Sequence, residues 1–135
     1  MARDAYANHE VDVELVTFID DMAEAYAWAD LVVCRAGALT VAELCAVGLP
    51  ALFVPYPSAV DDHQTANARP MENVGAAAII SESDLSAEML ANLLREWLSS
   101  RQSLLQRAGR ARELAKPQAL ARITELCLEQ AGVAA

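Results

Sequence analysis

Two short stretches of this chain carry residue types that could hold a polar, anionic ligand. The first is CRAGALTVAEL, residues 34–44. Its turn, Arg35 to Thr40, contains Gly37, Ala38 and Leu39, and the glycine lets backbone amides approach a ligand closely. A helix opening at Thr40 would present N–H groups that have no partner inside the helix. With the helix dipole, those groups favour a phosphate. Glu43 lies one turn in, where a carboxylate could accept hydrogen bonds from sugar hydroxyls. A commoner reading of Thr40 and Glu43 is a T-x-x-E capping box that only closes the helix start. The two readings compete, because a Glu43 folded back on Thr40 has less freedom to meet a ligand.

The second stretch is DDHQTANA, residues 61–68. Two acids beside His63 raise the question of a metal, but no second His or Cys stands near with ligand spacing. Asp61 or Asp62 as a helix N-cap explains the acids better. His63, Gln64 and Asn67 then cluster neutral donors and acceptors at a helix start, with Gln64 and Asn67 on one face. Such groups suit sugar hydroxyls. Phe18, closing the run DVELVTF, is either core or a cover for the flat face of a base.

No nucleophile emerges. Ser58 lacks a G-x-S-x-G setting, the three cysteines (Cys34, Cys45, Cys127) have no His nearby in sequence, and His9 reads as a surface residue. Trp28, Trp97 and the leucines of the last third read as packing. With 10 basic and 19 acidic residues and a formal charge of −9, the chain lacks the basic face that a general nucleic-acid binder needs. An odd cysteine count without C-x-x-C points to a reduced compartment. No signal peptide and no membrane-spanning run is read in the sequence.

The elements that must position these residues follow from patterning. A length of 135 residues, 55% of them hydrophobic and only 5% aromatic, fits one domain of close-packed helices on a small sheet. Residues 3–9 read as a short helix or a frayed end. Alternation predicts a strand over Asp12–Phe18, and Asp20 is placed to cap a helix reaching Trp28. Apolar runs predict strands at Leu31–Cys34, Ala51–Val54 and Ala76–Ile80. Between them come helices from Thr40 to Val47, closed by Gly48 with Pro50 beyond, and from Asp61 or Asp62 to about Asn73. Ser86 caps the first of three C-terminal helical segments, 87–99, 101–116 and 118–131, with Pro117 at a first helical position. Four strands alternating with helices give an α/β fold: a Rossmann-like parallel sheet with helices on both faces and a helical C-terminus. Ligands in such sheets sit beyond the carboxyl ends of the strands. Loops Phe18–Asp21, Arg35–Thr40 and Pro55–Gln64 should therefore share one rim.

The combination FIDDM, ADLVVCRAGALTVAEL, GLPALFVPYP and DDHQTANA resembles the MurG family, from about Val11 to about Gln130. These are bacterial peptidoglycan enzymes, inverting two-domain GT-B glycosyltransferases without a metal. They add N-acetylglucosamine (GlcNAc) to the lipid-linked muramyl-pentapeptide, converting lipid I to lipid II. The resemblance implies the C-terminal half, which binds the donor UDP-GlcNAc. It implies that Phe18 and the backbone of Ile19 hold the uracil, and that Leu39 and Thr40 meet the diphosphate within the turn that includes Gly37 and Ala38. It implies further that Arg35 adds positive potential there and that Glu43 binds the ribose hydroxyls. Gln64, helped by His63, would recognise the GlcNAc hydroxyls, with Asn67 in the same motif. No cofactor, metal or nucleic acid is implied. The partners are UDP-GlcNAc and, through another domain, the lipid-linked acceptor. The implied location is the cytoplasmic side of the bacterial inner membrane, with the chain itself soluble.

Two departures stand out. Many members carry Ser where this chain has Ala36, and the loop Pro57–Val60 is variable. The resemblance also implies that residues 1–135 form one partial domain, without the acceptor domain or any catalytic residue, and inactive alone. The alternatives are a donor-binding subunit of a split transferase and a GT-B enzyme using another UDP-sugar.

Overall fold

The computed structural model describes residues 5–6, 9, 11–57 and 62–132. The expected helix over residues 3–9 is thus only partly covered, and Ser58–Asp61 lie outside the described residues. The elements are α1 (Met22–Trp28), β1 (Val32–Cys34), α2 (Ala38–Val47), β2 (Ala51–Phe53), α3 (His63–Asn73), β3 (Ala77–Ile79), α4 (Ala87–Leu98), α5 (Arg101–Glu113) and α6 (Ala119–Gln130). The strands pair in parallel in the order β1-β2-β3. All three residues of β2 are buried. Because successive side chains of a strand point to opposite faces, both faces are covered at the centre of the sheet.

The register is level. Cys34 lies opposite Phe53, and Phe53 opposite Ile79, so the three strands finish side by side. Their following residues therefore emerge along one rim. At the opposite end of the sheet, α2 returns into β2 through Gly48, at φ 74°, and α3 into β3 through Gly75, at φ 72°. The small residues Ala36, Ala51, Ala68, Ala76, Ala77 and Ala111 are almost wholly buried. Their lack of bulk lets helices lie close on the sheet around Leu44, Phe53 and Met71. Arg107 of α5 stacks 3.9 Å over Trp97 of α4 and donates to the Gly75 carbonyl at 2.8 Å. That side chain fastens the helical C-terminal part to the turn before β3.

Three expectations fail in informative ways. The alternating run Asp12–Phe18 forms no strand, so the sheet has three strands among the described residues rather than four. Residues 11–19 are exposed throughout and make no ladder with β1; alternation without a hydrogen-bonded neighbour does not make a strand. Helix α2 begins two residues before Thr40, with Gly37 as N-cap in extended geometry. Pro117 is not a first helical position either: it precedes Gln118, the N-cap of α6. The remaining boundaries shift by one to three residues, as when α5 ends at Glu113 and Asp21 rather than Asp20 caps α1, accepting from the Glu24 amide at 2.8 Å.

A Cβ at Gly48 would stand 3.1 Å from the Ala108 carbonyl oxygen and 3.2 Å from the Arg112 Cβ, in a left-handed backbone. Gly48→Ala is therefore expected to lower the unfolding free energy by roughly 2 kcal/mol. Urea denaturation checks this; a midpoint equal to the parent's would contradict the packing at the α2–α5 contact.

Candidate functional site

Beyond the strand ends, β1 runs into Arg35-Ala36-Gly37 and β2 into Val54 to Pro57. Helix α3 fastens these two loops together. Asp62 caps it, accepting from the Thr65 amide at 3.3 Å. The first turns of α3 then carry Gln64 and Asn67 on one face. The Gln64 Oε1 accepts from the Tyr56 amide at 2.9 Å and from the Ala36 amide at 3.3 Å. Asn67 Nδ2 donates to the Ala36 carbonyl at 3.1 Å. Ala36 is fully buried, so both its backbone groups need such partners. Gln64 and Asn67 thus act first on the protein itself. Gln64 keeps its Nε2 amide as the end that could donate to a ligand.

Arg35 is engaged as well. Its Nη1 donates to the carbonyls of Val54 and Pro55, each at 3.1 Å, and to Glu82 Oε2 at 2.6 Å. Its guanidinium lies 5.4 Å from the Tyr56 ring centroid. It joins the loops after β1, β2 and β3, and its charge is shared with Glu82 before any ligand arrives. Nearly half exposed, the ion pair contributes little stability by itself.

The start of α2 stands between these loops. No side chain caps it. The Val41 amide is the first to bond back, to Gly37 at 2.9 Å, so the amides of Ala38, Leu39 and Thr40 precede the helical ladder. Leu39 is 81% exposed. Gly37 has an ordinary φ of −63°, which any residue could adopt. A Cβ there would sit 3.6 Å from the Thr40 hydroxyl, on the surface over the helix start. The glycine leaves that surface low rather than solving a backbone problem.

Glu43 does not make the capping box. It is exposed, and its Oε2 accepts from the Tyr26 hydroxyl of α1 at 3.1 Å. Tyr26 packs against the core. Burial first, then the Glu43 carboxylate, pushes its phenol up to about 12. Phe18, 77% exposed, and Ile19 lie on the segment leading into α1, along an open groove with Val16, Asp21, Ala25 and Trp28. Two of the three expected rim loops are therefore joined by direct hydrogen bonds, while Phe18–Asp21 leads into α1, which is tied to α2 by the Tyr26–Glu43 bond. His63, at the start of α3, is exposed.

Tyr26, Tyr56 and Glu82 were missed by sequence reasoning. Tyr26 had a signal, a lone hydroxyl in the apolar run AYAW; Tyr56 and Glu82 take their places from Arg35, and Glu82 lies 47 residues from it in the chain. Burial pushes the Cys34 thiol up to about 11, so at neutral pH it is not a thiolate nucleophile. Among the described residues no group of three metal-ligating side chains occurs.

The raised Tyr26 phenol has a sign that can be tested. Its folded value lies above the ordinary 10, so the stabilisation is complete below about pH 10 and is lost as pH rises toward 12. Urea midpoints measured between pH 10 and 12 should fall more steeply for the parent than for Tyr26→Phe. Identical slopes would remove the Tyr26–Glu43 bond as their cause.

Comparison with known proteins bears on this rim. The model of the glycosyltransferase family 28 C-terminal domain matches residues 1–123. A Burkholderia thailandensis protein is 59% identical over 121 residues, covering 90% of this chain and 32% of its own length. It is named "UDP-N-acetylglucosamine--N-acetylmuramyl-(pentapeptide) pyrophosphoryl-undecaprenol N-acetylglucosamine transferase". A Hahella chejuensis protein of the same name is 54% identical over 127 residues, 94% of this chain and 35% of its own. The crystal structure of Acinetobacter baumannii MurG superposes with a TM-score of 0.85 at 44% identity, over 92% of this chain and 38% of that one. The chain thus spans about a third of the length of these relatives. It shares the fold of the corresponding part of MurG, and by its family match it belongs to the glycosyltransferase family 28 C-terminal domain family.

Proposed function

We propose that these residues bind the donor, UDP-GlcNAc, of a transferase that glycosylates the lipid-linked muramyl-pentapeptide in peptidoglycan synthesis. One observation carries the donor-site reading: the uncapped start of α2 stands at the carboxyl end of the sheet, between loops held by Gln64, Asn67 and Arg35. Free amides, a helix dipole and a low surface at Gly37 are what a diphosphate requires. The names of the relatives supply the sugar, the nucleotide and the acceptor.

In this reading Leu39 and Thr40, with the turn at Gly37 and Ala38, meet the diphosphate. Glu43 takes the ribose hydroxyls, and Phe18 with the Ile19 backbone takes the uracil. Gln64 reaches the GlcNAc as a donor through Nε2, since its oxygen already serves Ala36 and Tyr56. His63 and Asn67 flank it. Arg35 contributes as the tie that keeps the rim together more than as a free cation. The acceptor 4-hydroxyl attacks the anomeric carbon, the bond from that carbon to the β-phosphate oxygen breaks, and UDP leaves with the electron pair. The hydroxyl proton passes to a base on the acceptor side. Charge growing on the diphosphate is met by amides already oriented toward it, so no reorganisation is needed during the reaction. The base and the acceptor surface belong to the remaining two thirds of length that the relatives carry, so residues 1–135 bind the donor without transferring sugar. No helix among the described residues is long and apolar enough to cross a membrane. The full enzyme would meet its undecaprenol-linked acceptor as a peripheral protein on the cytoplasmic face of the inner membrane.

Amide spectra during titration with UDP, UDP-GlcNAc and ADP test the site. UDP and UDP-GlcNAc should shift Ala38, Leu39 and Thr40, and ADP should not. Glu43→Ala should weaken UDP by about 10-fold or more, the loss of a hydrogen bond to a charged group. Gly37→Ala should leave stability within about 0.5 kcal/mol, as for a surface change at an ordinary φ, while weakening UDP. Unmoved amides at Leu39 and Thr40 would sink the donor-site reading.

A further inference from the structure

Glu43 lies three residues after Thr40 and four after Leu39, so the three share one side of α2 near its start. An exposed glutamate on a helix surface samples several rotamers, and a ligand that needs one of them must pay for ordering it. Here one oxygen is already held, by the Tyr26 hydroxyl at 3.1 Å. Tyr26 is itself anchored, being half-buried and packed against the core cluster. No cation pairs with Glu43 among the described residues. A neutral donor leaves the carboxylate its charge and leaves Oε1 able to accept, whereas an arginine fork would occupy both oxygens.

We infer that Tyr26 is a positioning residue: it holds Glu43 in the rotamer that meets the ribose, and so sets how strongly the site prefers a ribose with both hydroxyls. The inference rests on the reading of Glu43 as the ribose ligand. It adds a role to α1, which follows directly on Phe18 and Ile19. The same seven-residue helix then fixes both the segment assigned to the base and the carboxylate assigned to the ribose. The phenol's high value keeps it a donor throughout the neutral range.

The test compares dissociation constants for UDP and 2′,3′-dideoxy-UDP, using the full 135-residue chain. The parent should prefer UDP by about 10-fold or more. Glu43→Gln should reduce that preference to near unity. Tyr26→Phe should reduce it by at least about threefold while changing the dideoxy affinity by less than about twofold. Para-aminophenylalanine in place of Tyr26 keeps the ring and a donor, and should restore most of the preference. If Tyr26→Phe keeps the parent's ratio, or weakens both nucleotides equally, Tyr26 is only a staple between α1 and α2 and the inference falls, while the ribose reading stands. Failure of para-aminophenylalanine to restore the ratio overturns it as well. If Glu43→Gln keeps the parent's preference, the ribose reading fails and takes the inference with it.

Discussion

The carboxyl rim depends on how one buried residue, Ala36, satisfies its backbone. Just past the end of β1, the chain has left the ladder but not the interior. Water cannot reach its amide and carbonyl, and leaving either unpaired would cost about 1–3 kcal/mol. Gln64 accepts from the amide and Asn67 donates to the carbonyl. Two side-chain amides, one turn apart on α3, thus do for Ala36 what a neighbouring strand does for β1. The same Gln64 oxygen takes the Tyr56 amide, so the loop after β2 is locked by the same group. The uncapped start of α2 inherits its position from this arrangement, because Ala36 and Gly37 lead straight into it.

This constraint changes how DDHQTANA is to be understood. Read as a string, it offers neutral hydrogen-bonding groups to a sugar. In the fold, one end of each amide is already committed to backbone, and what remains for a ligand is directional. Structural and binding roles are not alternatives at such positions. A side chain whose far end must be placed to within a fraction of an ångström is best held by bonds at its near end. A shortened or flipped amide at Gln64 would disturb two loops before it disturbed any sugar.

What was legible in the sequence was what local chemistry decides. Ser86 caps α4 by accepting from the Met89 amide, and Gly48 closes α2 by donating to the Leu44 and Cys45 carbonyls; both bonds span only three or four residues. The apolar runs at β1, β2 and β3 were legible because each is short, continuous and bounded by polar or turn residues; β2, at the centre, is buried on both faces. The run Asp12–Phe18 misled because a strand is a relation between two segments, and alternation reports only one. The T-x-x-E pattern is no capping box here, because Gly37, already extended, serves as N-cap and Thr40 lies inside the first turn. Glu43 was recognised as chemically interesting, but its partner, Tyr26, lies 17 residues earlier on another helix. No local pattern carries that distance.

The distribution of charge completes the physical account. The chain is acidic overall, at −9; at the rim Arg35 is bound to Glu82 and to two carbonyls, and Arg69 of α3 is paired with Glu72. An anion approaching α2 therefore meets oriented dipoles rather than a cationic patch. Dipoles of a helix start act over about the first turn and lose strength quickly with distance. They reward a phosphate only when it is seated on them, and they draw little else from a distance. In the proposed donor site Gly37 has a physical part to play: a seat that works by contact must be low enough to touch. There, an arginine tied across three loops serves the shape of the rim rather than acting as a free cation.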